Sequence, residues 1–135
     1  MAVKLDVKGD NKTTWDGLEA TAQFGPPNPA KMNSLVRDIE AWARSKGLHE
    51  GDPVRQCAKL FEEGGELTRA CIRNDKPEII DGIGDCFVVL TIVAMRQGLN
   101  IQDCIEAAYN EIKGRQGQMV NGFFVREVNG VERQT

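Results

Sequence analysis

Long apolar runs are missing from this 135-residue sequence. The most hydrophobic stretch, Cys86-Phe-Val-Val-Leu-Thr-Ile-Val-Ala-Met95, is about half of the roughly 20 residues a membrane span needs, so it reads as a buried core helix. Met1-Ala-Val-Lys-Leu-Asp-Val-Lys8 has no apolar core followed by a small-residue cleavage site, which sets the expectation of a cytoplasmic protein with no membrane partner. Histidine is almost absent. The single His49 sits in the loop Gly47-Leu-His-Glu-Gly51, and this excludes a di-iron carboxylate bundle, which needs Glu-x-x-His motifs. Cys57, Cys71, Cys86 and Cys104 form no Cys-x-x-Cys pair, so neither a zinc site nor a disulfide framework is indicated, and reduced, mostly buried thiols are expected. A charge excess is lacking too: 17 basic against 20 acidic residues give −3, no reason to expect nucleic acid held by charge. With 41% hydrophobic and 27% charged residues, the composition is that of one globular domain, which excludes a fibrous or wholly disordered chain.

Helical periodicity is what the sequence does have. Residues 1–32, with scattered glycine and Pro26-Pro27-Asn28-Pro29, read as an extended N-terminal arm with a weak strand at Val3–Val7. Leu35, Val36, Ile39, Trp42 and Ala43 recur at helical spacing after Asn33-Ser34, predicting a helix over 33–46 stopped by Gly47. Asp52-Pro53 is a cap followed by a first-turn proline, predicting a helix over 53–73. Lys76-Pro77-Glu78 opens a third over 76–97, and Ile101, Cys104, Ile105, Ala108 and Ile112 define a fourth over 101–114. Phe123-Phe-Val-Arg-Glu-Val128 alternates before the turn dipeptide Asn129-Gly130, so a short β-hairpin is expected in a tail of 119–135. The fold class is therefore an all-α four-helix bundle over 33–118. The third helix is apolar nearly all round and must be buried nearly all round, which four short helices cannot easily do alone. A homodimer or a dimer of dimers is expected.

The acids are patterned. Glu62 and Glu63 both neighbour Glu66 on the second helix, and Glu78, Asp81 and Asp85 step by three and four along the third. An antiparallel hairpin of these helices brings the two acidic faces together. Like charges at such spacing destabilise a helix by about 0.2–0.5 kcal/mol per pair, so something must compensate them. A hard divalent cation, which takes oxygen ligands, is one candidate, and solvation of an ordinary charged face is the other. Gly64 and Gly65 inside the helix cost about 1 kcal/mol each, which implies close approach of another helix or a ligand.

The order Glu62-Glu63-x-x-Glu66, then Asp81-Gly82-Ile83-Gly84-Asp85, resembles the MazG-like all-α nucleoside triphosphate pyrophosphohydrolases, whose signature is Glu-Glu-x-x-Glu on one helix and Glu-x-x-Asp on the next. The resemblance covers about 33–118 and includes Tyr109-Asn-Glu-Ile-Lys-Gly-Arg115, which looks like that family's basic phosphate-contacting end. It implies hydrolysis of a nucleoside triphosphate to monophosphate and pyrophosphate. It also implies Mg²⁺, or Mn²⁺ in its place, on Glu63, Glu66, Asp81 and Asp85, with Glu62 orienting or deprotonating the attacking water. Asn110, Lys113 and Arg115 are then substrate-binding residues, and Trp42 is a base-stacking candidate whose competing role is core packing. One departure stands out: Gly82 occupies the place of the family's second-helix glutamate. Either Asp81 supplies the missing carboxylate, or the register is Glu78-Ile-Ile-Asp81. The alternatives are a non-catalytic helical oligomer that binds nucleotide or metal, and a phosphoribosyl-ATP pyrophosphohydrolase sharing the fold and chemistry.

Overall fold

A computed structural model describes residues 28–128 and 131–133. Four helices come first: α1 (Pro29–Ser45), α2 (Pro53–Arg73), α3 (Lys76–Arg96) and α4 (Ile101–Ile112). Three strands follow: β1 (Gly117–Val120), β2 (Phe123–Val128) and β3 (Val131–Arg133). Among the described residues no helix is long and apolar enough to cross a membrane.

Side-chain caps start every helix. The Asn28 side chain accepts the Ala30 N–H at 3.0 Å, and Asp52 Oδ1 accepts the Val54 N–H at 2.9 Å. Asp75 Oδ1 and Asn100 Oδ1 accept the N–H groups of Glu78 and Gln102 in the same way. The first of these caps corrects the expected arm. Residues 29–32 belong to α1, because Pro29 stands at the first helical position, where its missing N–H has no partner to lose. The expected strand at Val3–Val7 lies outside the described residues. α2 ends on Asn74 in the left-handed conformation (φ 54°), which turns the chain directly into α3. The α4 helix stops at Ile112, ahead of the expected 114.

The α2–α3 hairpin is the largest packing unit, and α1 and α4 each pack on α3. Val36, Ala94 and Ile101 form a core cluster joining α1, α3 and α4, with Phe87 against it. Thr91 is fully buried inside the apolar run of α3, and its hydroxyl donates to the Phe87 carbonyl at 2.9 Å, so no polar atom is left unpaired there. Arg96 donates from Nε to the Leu48 carbonyl (2.8 Å) and from Nη1 to the Asp52 carbonyl (2.7 Å), tying the end of α3 to the α1–α2 loop.

Three expectations change. A Cβ at Gly64 or Gly65 would meet nothing, so these glycines are not sites of close approach within the chain. Within the helices the tight position is Gly82, where a Cβ would stand 3.1 Å from Leu67 Cβ and 3.2 Å from Leu67 Cα. Cys57 and Cys71 are exposed, and Cys86 and Cys104 half-buried: all four are free thiols, but they are not core residues. The tail is a three-stranded antiparallel sheet in the order β1-β2-β3. Its first turn is Asn121-Gly122, both at positive φ (49° and 83°), the geometry a two-residue hairpin loop favours. Asn129-Gly130 lies outside the described residues, although the Val128–Val131 pairing on either side of it is antiparallel.

Candidate active site

The two acid-bearing helices, α2 and α3, pack on one another as an antiparallel hairpin. Glu63, in the middle of α2, is buried (8% exposed), an unusual place for a carboxylate without a partner. Its partner is Lys59, one turn earlier, whose Nζ lies 2.9 Å from Glu63 Oε1 and 3.1 Å from Glu62 Oε2. Hydrogen bonds to Glu63 and then Glu62 hold the Lys59 ammonium above the ordinary lysine range. Sequence reasoning missed Lys59, though its spacing of three and four before Glu62 and Glu63 is the signal for such a pair. Glu66, the next acid along, is exposed and 3.5 Å from Arg69.

Across the hairpin, Asp85 is half-buried and Asp81 is exposed. The Asp85 carboxyl is pushed above its usual range, first by burial and then by the negative charges of Asp81, Glu63 and Glu66, while Lys59 pulls it back. The charges of Glu63 and Glu66 on α2 therefore act on Asp85 across the packed hairpin. Glu78 is not among the charges that act on Asp85 and instead lines a cleft at the end of the hairpin. Gly82 has its own explanation, since contact with Leu67 leaves no room for a glutamate between the helices.

The chemistry of this set suits a hard divalent cation: carboxylate oxygens only, and an acid whose proton affinity is raised by burial and then by neighbouring negative charge. Among the described residues no three His, Cys, Asp or Glu side chains converge tightly enough to hold an ion, and Lys59 supplies the positive charge at Glu62 and Glu63.

The remaining predicted residues lie elsewhere. Asn110 and Lys113 pair with one another (2.8 Å), and Arg115 pairs with Glu111. α4 packs on α3 and not on α2, and its links to the bundle are at its start, through Ile101 and a Gln102–Asn33 hydrogen bond. Trp42 is 48% exposed on α1, a helix that packs on α3 and not on α2. It is therefore not a core residue, and the chain does not bring its helix against the one carrying Glu62, Glu63 and Glu66.

An all-α bundle with acids facing one another across a helical hairpin defines a class, the MazG-like all-α pyrophosphohydrolases. Residues 33–111 match the model of phosphoribosyl-ATP pyrophosphohydrolase, and the chain belongs to that family. It is also similar to an uncharacterized 18.2 kDa protein from the rep-hol intergenic region of Haemophilus phage HP1 (strain HP1c1), with 42% identity over 73 residues, 53% of this chain. The matched part spans 44% of that relative's length. No solved structure matches the chain.

Proposed function

We propose that this chain hydrolyses a phosphoanhydride of a nucleotide, cleaving a nucleoside triphosphate between its α and β phosphates to give monophosphate and pyrophosphate. The observation that carries the reading is the packed α2–α3 hairpin, across which the charges of Glu63 and Glu66 act on the half-buried Asp85, in a chain that belongs to a pyrophosphohydrolase family. Glu63, Glu66 and Asp85, with Asp81 in place of the carboxylate absent at Gly82, would hold Mg²⁺ or Mn²⁺ after drawing closer together than they stand in the metal-free chain. Such an ion neutralises phosphate charge and lowers the pKa of bound water. Glu62 is exposed beside this group and accepts a proton from, or orients, the attacking water. Lys59 offsets the negative charge of the buried Glu63 through their 2.9 Å ion pair. Lys113 and Arg115 would supply positive charge for phosphate oxygens, with Asn110 as a further donor and Trp42 as a base-stacking surface, where a second copy of the chain brings them to the acids, since within one chain neither α1 nor α4 packs on α2.

The protein acts as a homodimer or dimer of dimers in this reading, because Val54, Phe61 and Ile72 on α2, Ile83 and Leu90 on α3 and Ile105 and Ile112 on α4 are all exposed in the single chain. Phosphoribosyl-ATP is the second substrate reading, favoured by the description of the matching family. Incubation with each ribo- and deoxyribonucleoside triphosphate and with phosphoribosyl-ATP, in the presence of Mg²⁺, tests both. Monophosphate plus pyrophosphate from a triphosphate supports the first reading, and pyrophosphate from phosphoribosyl-ATP alone supports the second. Diphosphate plus inorganic phosphate contradicts both. Absence of any product favours the non-catalytic oligomer.

A further inference from the structure

At the closed end of the hairpin, a cleft of about 490 Å³ opens between the last turns of α2 and the first turn of α3, lined by Glu66, Arg69, Ala70, Arg73, Asp75 and Glu78. Glu66 belongs both to the acids of the candidate site and to the wall of this cleft, so the two adjoin. Arg69 and Arg73 are four residues apart and share one face of α2. Arg69 reaches Glu66 only at 3.5 Å, with both side chains more than half exposed (64% and 55%), a pairing that solvent screens. Arg73 makes no hydrogen bond or ion pair among the described residues. Of the acids opposite, Asp75 is engaged in capping α3 through the Glu78 N–H. Two adjacent guanidinium groups, one unpaired and one loosely paired, present planar forks of donors, the geometry that matches phosphate oxygens.

We propose that this cleft is a phosphate subsite of the active site, in which Arg69 and Arg73 hold the phosphate of the substrate that lies beyond the acids. The proposal rests on the hydrolase reading for its context, but its test does not. Two sources carry this chemistry, the leaving pyrophosphate of a triphosphate and a phosphate on a sugar.

The test uses the full chain and its Arg73→Gln, Arg73→Lys and Arg69→Gln variants, with circular dichroism confirming the fold; both arginines are exposed, so the variants fold as the parent does. Steady-state kinetics give KM and kcat for the nucleotide turned over. Calorimetric titrations with pyrophosphate and with ribose 5-phosphate give binding without turnover. Losing a charged phosphate contact weakens binding by about tenfold or more. Arg73→Gln is expected to raise KM by that factor with a smaller effect on kcat, and to weaken one of the two probes by a similar factor, with partial recovery in Arg73→Lys. Weakened pyrophosphate identifies the leaving group as occupant, and weakened ribose 5-phosphate identifies a phosphorylated sugar. If the parent turns over no nucleotide but binds a probe through Arg73, the hydrolase reading fails and the subsite stands. If the parent is active and Arg73→Gln matches it in KM and in probe binding, or if neither protein binds a probe and KM is unchanged, the subsite is overturned.

Discussion

At the scale of single residues, the account turns on which acids on α3 act with Glu63 and Glu66. The charges of Glu63, Glu66 and Asp81 all act on Asp85, and Glu78 lines the neighbouring cleft, so the proposed metal set takes Asp85 with Asp81. Asp81→Asn should therefore weaken Mg²⁺ activation almost as much as Asp85→Asn, and Glu78→Gln much less, when activity is titrated against Mg²⁺. The reverse order would put the site on the Glu78-Ile-Ile-Asp81 register. Asp85 also makes a prediction for the metal-free protein. Its folded-state pKa is raised, so it binds more protons folded than unfolded between its ordinary and its raised value. Its contribution favours the folded state below that window and is lost as pH rises through it. Asp85→Asn should accordingly raise the metal-free Tm at neutral pH, with the gain shrinking on acidification toward the ordinary carboxylate range. A Tm difference that does not change with pH would show that burial and neighbouring charge do not act on Asp85 as described.

At the scale of elements, the four helices are legible because caps and periodicity agree: Asp52-Pro53 and Lys76-Pro77 open α2 and α3 where expected. The start of α1 was hidden because a proline cluster signals both extended chain and a first helical turn, and only the Asn28 cap decides between them. The first hairpin turn was missed although Asn121-Gly122 is itself a turn dipeptide, since the stretch before it, Gln116–Val120, has no clear alternation. Glycine spacing alone does not reveal which glycine faces a helix and which faces open space. That difference is measurable. Gly65→Ala, in open helix, should raise stability by about 0.5–1 kcal/mol, since alanine removes the entropy cost of glycine without meeting any atom. Gly82→Glu, which would restore the family's motif, should instead lower stability by about 1–3 kcal/mol through overpacking against Leu67. Denaturant midpoints at constant m-value read both changes, and a stabilised Gly82→Glu would contradict the packing described for α2 against α3.

At the scale of the whole molecule, the apolar character of α3 is only partly satisfied within one chain. The same holds for α2, where Phe61 is 85% and Ile72 79% exposed. Sequence pattern reports that a face is apolar, but not whether its cover comes from the same chain, and this is why the exposed faces of α2 were not legible in it. Sedimentation equilibrium at micromolar concentration should show a dimer or larger, and a clean monomer would leave these faces unexplained. The candidate site shows the same division. Two consecutive acidic helices were visible in the sequence, and so was the four-residue spacing of Lys59 and Glu63, but the arginine-lined cleft beyond Glu66 appears only once the helices are folded together. The most direct measurement is the resolved product analysis of parent and Glu66→Gln with nucleoside triphosphates under saturating Mg²⁺. Glu66→Gln removes a hard anionic ligand while preserving side-chain size and helix propensity. The account predicts monophosphate and pyrophosphate from the parent and loss of most of that turnover in a folded Glu66→Gln protein. Pyrophosphate release at the parent's rate from Glu66→Gln would contradict it.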